Sequence, residues 1–480
     1  MSEALDRIRE TTRGTEYESK LYLVGGVLRD RALGLPMSED VDLVLEGDAV
    51  GLAEFLHAKG LSEHHPVLYP RFGTAKLAIS GHDVELVAAR AESYDSTNRK
   101  PNVVRATLKD DAYRRDFTIN TLMENIHTGE VLDLTGRAWE DLKAEIIRTP
   151  LDPHVTFFDD PLRMLRAVRF ASRHGFEIHS ETWQAITEMT GRLNLFGSEP
   201  PVVSAERIRD EFTKMMMANG PVLAEPIPDD VKRGKGGPFG LEMLRRSGQL
   251  AAFFPELLEM VGVTQNAWHL YNVWDHTLTA LSHVPHDAPL EIRMAVLLHD
   301  VGKPRTRSED EKGTHFYEHQ FVGAKMAHEA LTRLKYTNEQ IDTISTLVEL
   351  HMRLGESRPD WSDAAIRRMI RSLSPHIDQL FAITRCDIAA MRQDVPATEL
   401  GALRVRIDDL NAQMNAAQVQ SPLDGVEIMG ALNLPSGPLI KSAKEFLVNE
   451  VLEARIPEGD KVLAMDALRV WVQKEAKVKQ

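Results

Sequence analysis

Two periodicities divide this chain. In the first 145 residues short apolar runs alternate with polar positions. LYLVGG (21–26) ends in a turn, VDLVLEG (41–47) has period two, and TAKLAI (74–79) and DVELVAA (83–89) repeat the pattern. These runs predict four strands, with helical AVGLAEFLHAKG (49–60) between them. From about residue 155 the strand signals fade. Apolar residues then recur at helical spacing in PLRMLRAVRFASRHG (161–175), SETWQAITEMTGRL (180–193), SAERIRDEFTKMMMA (204–218) and most of the remaining chain. The segment 220–240 is rich in Gly and Pro and reads as an exposed loop between helical units. No repeat of fixed period supports a solenoid. The expected organisation is an α/β head (1–145), a neck (146–220), a linker and helical body (221–264), a histidine-rich helical domain (265–390) and a helical tail (391–480).

Composition changes this picture little. A length of 480 residues suggests roughly three domains at about 150 residues each. With 43% hydrophobic and 27% charged residues, neither disorder nor a fibre is indicated. The N-terminus is charged, and no apolar run is long enough to span a bilayer. A single cysteine, Cys386, excludes an intramolecular disulfide and a Cys-rich zinc site. The expected compartment is the cytoplasm, with no membrane partner, and nothing in the sequence fixes the oligomeric state. A net charge of −15 confines any nucleic-acid surface to a local patch. One candidate is Arg163, Arg166, Arg169 and Arg173, which at helical spacing fall within about one third of the circumference. Taken alone, that stripe also reads as a solvated helix face.

Chemistry concentrates first in the head. A strand ending at Gly25-Gly26 and leading into a helix leaves backbone N–H groups able to hold triphosphate oxygens. Asp40 and Asp42 lie two apart in a strand-like run, so both carboxylates project from one face while Val41 and Leu43 turn to the core. Asp-x-Asp alone is an ordinary strand edge; beside Gly-Gly it reads as a metal–triphosphate site. Two Mg²⁺ ions held there would activate an attacking hydroxyl and neutralise a leaving pyrophosphate. Glu85 is a candidate third carboxylate.

GGVLRD followed by DVD, RRDFTINTL (114–122), DDPLRMLRAVRF (159–170) and SAERIRDEF (204–212) closely resemble the motifs of bacterial-type tRNA nucleotidyltransferases and their poly(A) polymerase relatives. The resemblance covers roughly the first 260 residues. It implies a polymerase-β-like nucleotidyltransferase head followed by an all-helical neck, body and tail, acting on tRNA with ATP and CTP. It further implies that Gly25, Gly26, Arg29 and Asp30 shape the triphosphate site and that Asp40 and Asp42 bind Mg²⁺. Arg114, Arg115, Asp116 and Asn120 would then meet the sugar and phosphates of the nucleotide. Asp159, Asp160 and Arg163 match the family's protein template for the base, with Arg166 and Arg169 on the same helix. A carboxylate accepts from the exocyclic amine of C or A and an arginine donates to the ring nitrogen, whereas U and G would leave both mispaired. Asp159 and Asp160 ahead of Pro161 also read as helix caps. Relatives that add the terminal A carry a loop between the third carboxylate and the RRD motif, and residues 88–113 supply one here.

A second series, His276, His299, Asp300 and Asp387, offers four ligands of a type that suits Mg, Mn, Ni, Fe or Zn, with His319 and His351 available for a second ion. These residues resemble the HD phosphohydrolase domain. That implies metal-dependent hydrolysis of a phosphoester, with Lys303 holding a phosphate oxygen. The leading expectation is therefore CCA or A addition to the 3′ end of tRNA with an attached phosphohydrolase. The alternatives are a poly(A) polymerase, a CC-adding enzyme, or an HD phosphohydrolase with a degenerate head.

Overall fold

The alternating runs of the head form a seven-stranded sheet. The computed structural model describes residues 2–36, 41–95, 98–197, 201–265, 269–311, 313–355, 360–391, 397–417, 421–432, 437–452, 455–457 and 459–478. In chain order the strands are β1 (Leu21–Val24), β2 (Val41–Leu45), β3 (Val67–Tyr69), β4 (Thr74–Ile79), β5 (His82–Ala88), β6 (Arg90–Asp95), β7 (Asn98–Arg105), β8 (Met123–Asn125) and β9 (Val131–Leu132). The sheet has the order β3-β4-β5-β2-β1-β8-β9, and β6 and β7 pair separately as an antiparallel hairpin. The four expected strands, β1, β2, β4 and β5, occupy adjacent central positions. The unexpected β3, β8 and β9 are two or three residues long, too short to show a period.

Strand β2 positions the site. Val41 and Leu43 are wholly buried while Asp42 between them is exposed, as period-two alternation requires. Leu52 and Leu56 of the helix Ala49–Ala58 belong to the same core. Asp48 caps that helix by accepting from the Gly51 N–H at 3.2 Å.

Among the described residues the rest is helical, as expected, apart from two short strand pairs. Ile146–Ile147 pairs in parallel with Glu177–Ile178, and Ser308–Asp310 pairs antiparallel with Gly313–His315. The first pair ties the end of the head to the chain leaving the helix Leu162–His174. The Gly/Pro-rich loop is likewise more than an exposed boundary. The Arg246 guanidinium donates to the carbonyls of Ile227 (3.2 Å), Pro228 (2.8 Å), Asp229 (3.1 Å) and Val231 (2.8 Å). Its Nε donates to Glu242 at 2.7 Å, and Glu242 also accepts from Trp274 Nε1 at 2.9 Å. The loop is thus strapped to the helix Gly237–Arg246 and, through Glu242, to the helix Val273–Ser282.

One apolar core runs from Ala4 to Leu410 and takes in head, neck and histidine-rich helices. The last three helices enclose a separate core, from Leu423 to Leu468. The helix Ala397–Ala417 contributes Leu400, Leu403, Ile407 and Leu410 to the first core, so the expected tail contains parts of two packing units.

Candidate active sites

The turn after β1 forms because Gly25 adopts φ +85°, and the helix Gly26–Ala32 starts at once. A Cβ on Gly25 would lie 3.3 Å from Asp42 Oδ2, tighter than ordinary contact, so glycine lets this carboxylate sit close against the turn. Asp42 sits opposite Glu85 in the parallel β2–β5 pair, and Glu85 sits opposite Lys76 in the antiparallel β5–β4 pair. Lys76 Nζ lies 3.3 Å from Glu85 Oε2. All three side chains line a cleft of about 900 Å³, together with Gly26, Arg29, Asp30 and Arg173. Hard carboxylate oxygens beside a glycine cradle fit a divalent cation of the Mg²⁺ type. Asp40, the other half of the expected pair, lies outside the described residues.

Beneath the cleft the expected nucleotide residues form one hydrogen-bonded chain. Arg29 Nε donates to Asp30 (2.8 Å) and its Nη1 to Asn120 Oδ1 (2.8 Å), while Asn120 Nδ2 donates to Asp116 Oδ1 (2.9 Å). Arg166 donates through Nε (2.9 Å) and Nη2 (2.6 Å) to Asp116 Oδ2 and through Nη1 to Glu211 (3.2 Å). Arg169 donates to the same Glu211. Burial raises the Asp116 pKa, but the Arg166 charge and the Asn120 and Arg166 hydrogen bonds outweigh it and hold the carboxyl well below its usual range. Asp116 is therefore a fixed carboxylate.

This arrangement corrects the reading of the arginine stripe. Arg166 and Arg169 face acids rather than solvent, and Arg163 donates to the carbonyls of Arg114 (2.8 Å) and Thr156 (3.4 Å). Of the four, Arg173 alone is exposed. The RRD arginines are also positioned from below: Arg114 and Arg115 both donate to Asp111, which is fully buried. Sequence reasoning does not single out Asp111 or Glu211, because a carboxylate's role as an anchor depends on contacts that spacing does not show.

Asp159 ends the helix Pro153–Asp159 and Asp160 follows it. Asp160 Oδ1 accepts the Leu162 N–H at 3.2 Å, so capping falls to Asp160 and not to Pro161, the residue at the cap position. Arg207 grips both Asp160 oxygens, at 3.2 and 2.7 Å. Arg207 lies within the SAERIRDEF motif, but nothing in the spacing points to Asp160.

His174, at the end of the arginine helix, stacks on Phe170 with ring centroids 6.2 Å apart. Burial, reinforced by Arg29, Arg173 and Arg169, pushes its imidazole down to about 3. As pH falls below about 6.5 the unfolded chain takes up a proton that the native state refuses, so stability declines. The substitution His174→Phe should flatten this loss by on the order of 1 kcal/mol per pH unit. Urea denaturation at pH 7 and pH 5 measures it; an unchanged pH dependence would contradict the assignment.

The histidine series converges on one buried cluster. Asp300 Oδ2 lies 3.2 Å from His299 Nε2 and 3.8 Å from His276 Nε2, and its Oδ1 lies 3.5 Å from His319 Nε2. His319 and His351 meet at 3.3 Å through their Nε2 atoms, and His276 Nε2 reaches Asp387 at 3.0 Å. Two sets of mutually close ligand atoms share Asp300: His276–His299–Asp300 and Asp300–His319–His351. The Nδ1 atoms of His299, His319 and His351 meet the carbonyls of Val296 (2.7 Å), Phe316 (2.8 Å) and Val348 (2.6 Å), which turns each Nε2 inward. Burial pushes His351 down to about 3 and lowers His319, whereas His299, despite its burial, is raised to about 8 by Asp300 and Asp387, so a cation bound there would displace the His299 proton. His299 Nε2 is buried with the Asp300 and Asp387 carboxylates beside it, and this donor set fits a divalent transition metal or Mg²⁺. Lys303 is held by Asp300 (2.7 Å) and Gln265 (2.6 Å).

Family models match residues 21–148 ("Poly A polymerase head domain"), 175–224 ("Probable RNA and SrmB- binding site of polymerase A") and 267–384 ("HD domain"). A CC-adding tRNA nucleotidyltransferase of Thermus thermophilus is 31% identical over 370 residues, spanning 76% of this chain and 77% of its own. The chain belongs to the tRNA nucleotidyltransferase family. An A-adding tRNA nucleotidyltransferase of Deinococcus radiodurans is 30% identical, with 87% and 88% of the two chains aligned. The crystal structure of the Bacillus stearothermophilus CCA-adding enzyme in complex with CTP matches with a TM-score of 0.67 over 99% of this chain and 98% of its own. At 20% identity that likeness shows the shared fold, a polymerase-type head followed by a largely helical neck, body and tail with an HD domain. As a tRNA nucleotidyltransferase the chain transfers C and/or A nucleotides to the 3′ end of tRNA. Its HD match spans His276, His299, Asp300, His319 and His351, and Asp387 follows it. No helix among the described residues is long and apolar enough to cross a membrane.

Proposed function

We propose that this nucleotidyltransferase adds the terminal A of the CCA end, alone or after C and C, from ATP and CTP bound in the head cleft. The observation that carries nucleotide transfer is the exposed Asp42 carboxylate packed against Gly25 and in register with Glu85. Asp40 and Asp42 would hold Mg²⁺, which when bound activates the tRNA 3′ hydroxyl and neutralises the pyrophosphate. Around it the Gly25-Gly26 N–H groups take triphosphate oxygens, and Arg114 and Arg115 clamp phosphate from their Asp111 anchor. Asp116, kept ionised by Arg166, accepts from a ribose hydroxyl with Asn120 beside it. Asp160 accepts from the amine of C or A, and Arg163 donates to the ring nitrogen. The β6–β7 pair lies within the stretch 88–113 that resembles the loop of relatives adding A, which supports A addition over CC addition. The test is incubation of end-trimmed tRNAs with CTP, ATP or both, read at one-nucleotide resolution. An A added to tRNA ending in CC is expected. Products stopping at CC, or long A-tails on arbitrary RNA, would overturn the reading.

The shared Asp300 favours a second activity, hydrolysis of a phosphoester such as a 2′,3′-cyclic phosphate or 2′-phosphate at a damaged RNA end. Mg, Mn or Ni would be held by His276, His299, Asp300 and Asp387, with His319 and His351 for a second ion, and would supply a nucleophilic hydroxide. Asp300→Asn should abolish release of phosphate or opening of the cyclic ester while A addition persists. A wild-type chain inert on these ends with each metal would defeat this assignment.

A further inference from the structure

The three cleft side chains Lys76, Glu85 and Asp42 stand in one row across β4, β5 and β2, each the direct cross-strand partner of the next. Resting on the reading of this cleft as a metal–nucleotide site, we propose that Lys76 is a positioning residue that holds Glu85 out of the metal-binding set. Neighbouring strands lie about 4.8 Å apart, so two carboxylates directly opposite each other repel, and an ion pair on one of them relieves this. Lys76 Nζ at 3.3 Å from Glu85 Oε2 is that ion pair. Its strand β4 flanks β5 on the side opposite β2, so the pair with Lys76 favours a Glu85 carboxylate turned from the Asp42 edge.

The consequence concerns how tightly the cleft holds its cation. Affinity for a hard cation rises with the number of carboxylates that reach it. With the ammonium in place Glu85 is engaged, and Asp42 with its motif partner Asp40 sets the affinity. Without it Glu85 can turn to the cation as an added ligand. A metal held too tightly would retain the pyrophosphate it neutralises, so Lys76 favours turnover over binding strength.

Mn²⁺ binding to the full-length chain, followed by electron paramagnetic resonance, tests this without any reaction. The histidine cluster contributes equally to every variant and cancels in the comparison. Lys76 is largely exposed, so folding should not be affected, which the thermal midpoint will show. Lys76→Met should tighten the head-site Mn²⁺ on the order of fivefold, and Lys76→Arg should bind like wild type. Adding Glu85→Gln to Lys76→Met should erase the gain. In the addition assay Lys76→Met should lower kcat while KM for ATP and CTP stays within about twofold. Unchanged Mn²⁺ affinity in Lys76→Met, or a raised nucleotide KM marking Lys76 as a phosphate ligand, would overturn the inference alone. Failure of Asp42→Asn to weaken Mn²⁺ binding would instead overturn the metal reading of the cleft and this inference with it.

Discussion

Asp42→Ala should reduce nucleotide addition on the order of 10³-fold or more, because a lost ligand removes several kcal/mol of charge stabilisation at the developing pyrophosphate. The side chain is exposed and its strand neighbours Val41 and Leu43 carry the packing, so the thermal midpoint should hold. Hydrolysis at the histidine cluster should also be unchanged. A variant that still extends tRNA at more than a tenth of the wild-type rate would remove Asp42 from the reaction.

Arg166→Met should act on stability and on nucleotide binding together. Arg166 neutralises Asp116 and shares Glu211 with Arg169, both acids being buried, so its removal leaves the Asp116 carboxylate without its ion-pair partner. Breaking a buried pair from one side costs about 3 kcal/mol or more. The pH dependence follows from the depressed Asp116 pKa. A carboxyl lowered in the native state contributes stability above its unfolded value near 4, and that contribution is lost as pH falls toward the native value. Without Arg166 the native value rises toward the unfolded one, so the variant should lose less stability between pH 7 and pH 4 than the wild type does. Urea unfolding at pH 7 and pH 4 measures both effects, and KM for ATP should rise as Asp116 loses its fixed orientation. Wild-type stability with a normal KM would show that the network is dispensable.

How far the sequence foretells these sites depends on the distance over which each residue finds its partner. The Val41-Asp42-Leu43 alternation and the Gly25 turn are local, and both stand as expected. The histidine cluster is legible because its residue types are unusual together, although Asp387 lies 111 residues from His276. The arginine helix is misread because its partners are remote. Asp116 lies 50 residues from Arg166, and Glu211 lies 42 from Arg169. From spacing alone those arginines form a stripe, and only the folded chain shows acids opposite two of them. The short strands and the Arg246 strap escape for the same reason, since a two-residue strand or a loop carbonyl carries no pattern.

The unbroken core from Ala4 to Leu410 has a consequence for heat inactivation. Side chains from the head, the neck and the histidine-rich helices pack into one apolar mass, so warming that loosens it disarms both chemistries at the same temperature. The small core of the last three helices is separate and can melt earlier without taking either activity with it. A preparation that has lost tRNA extension on storage at elevated temperature should therefore have lost the proposed phosphoester hydrolysis as well, and one cannot be rescued as a thermally resistant fragment of the other.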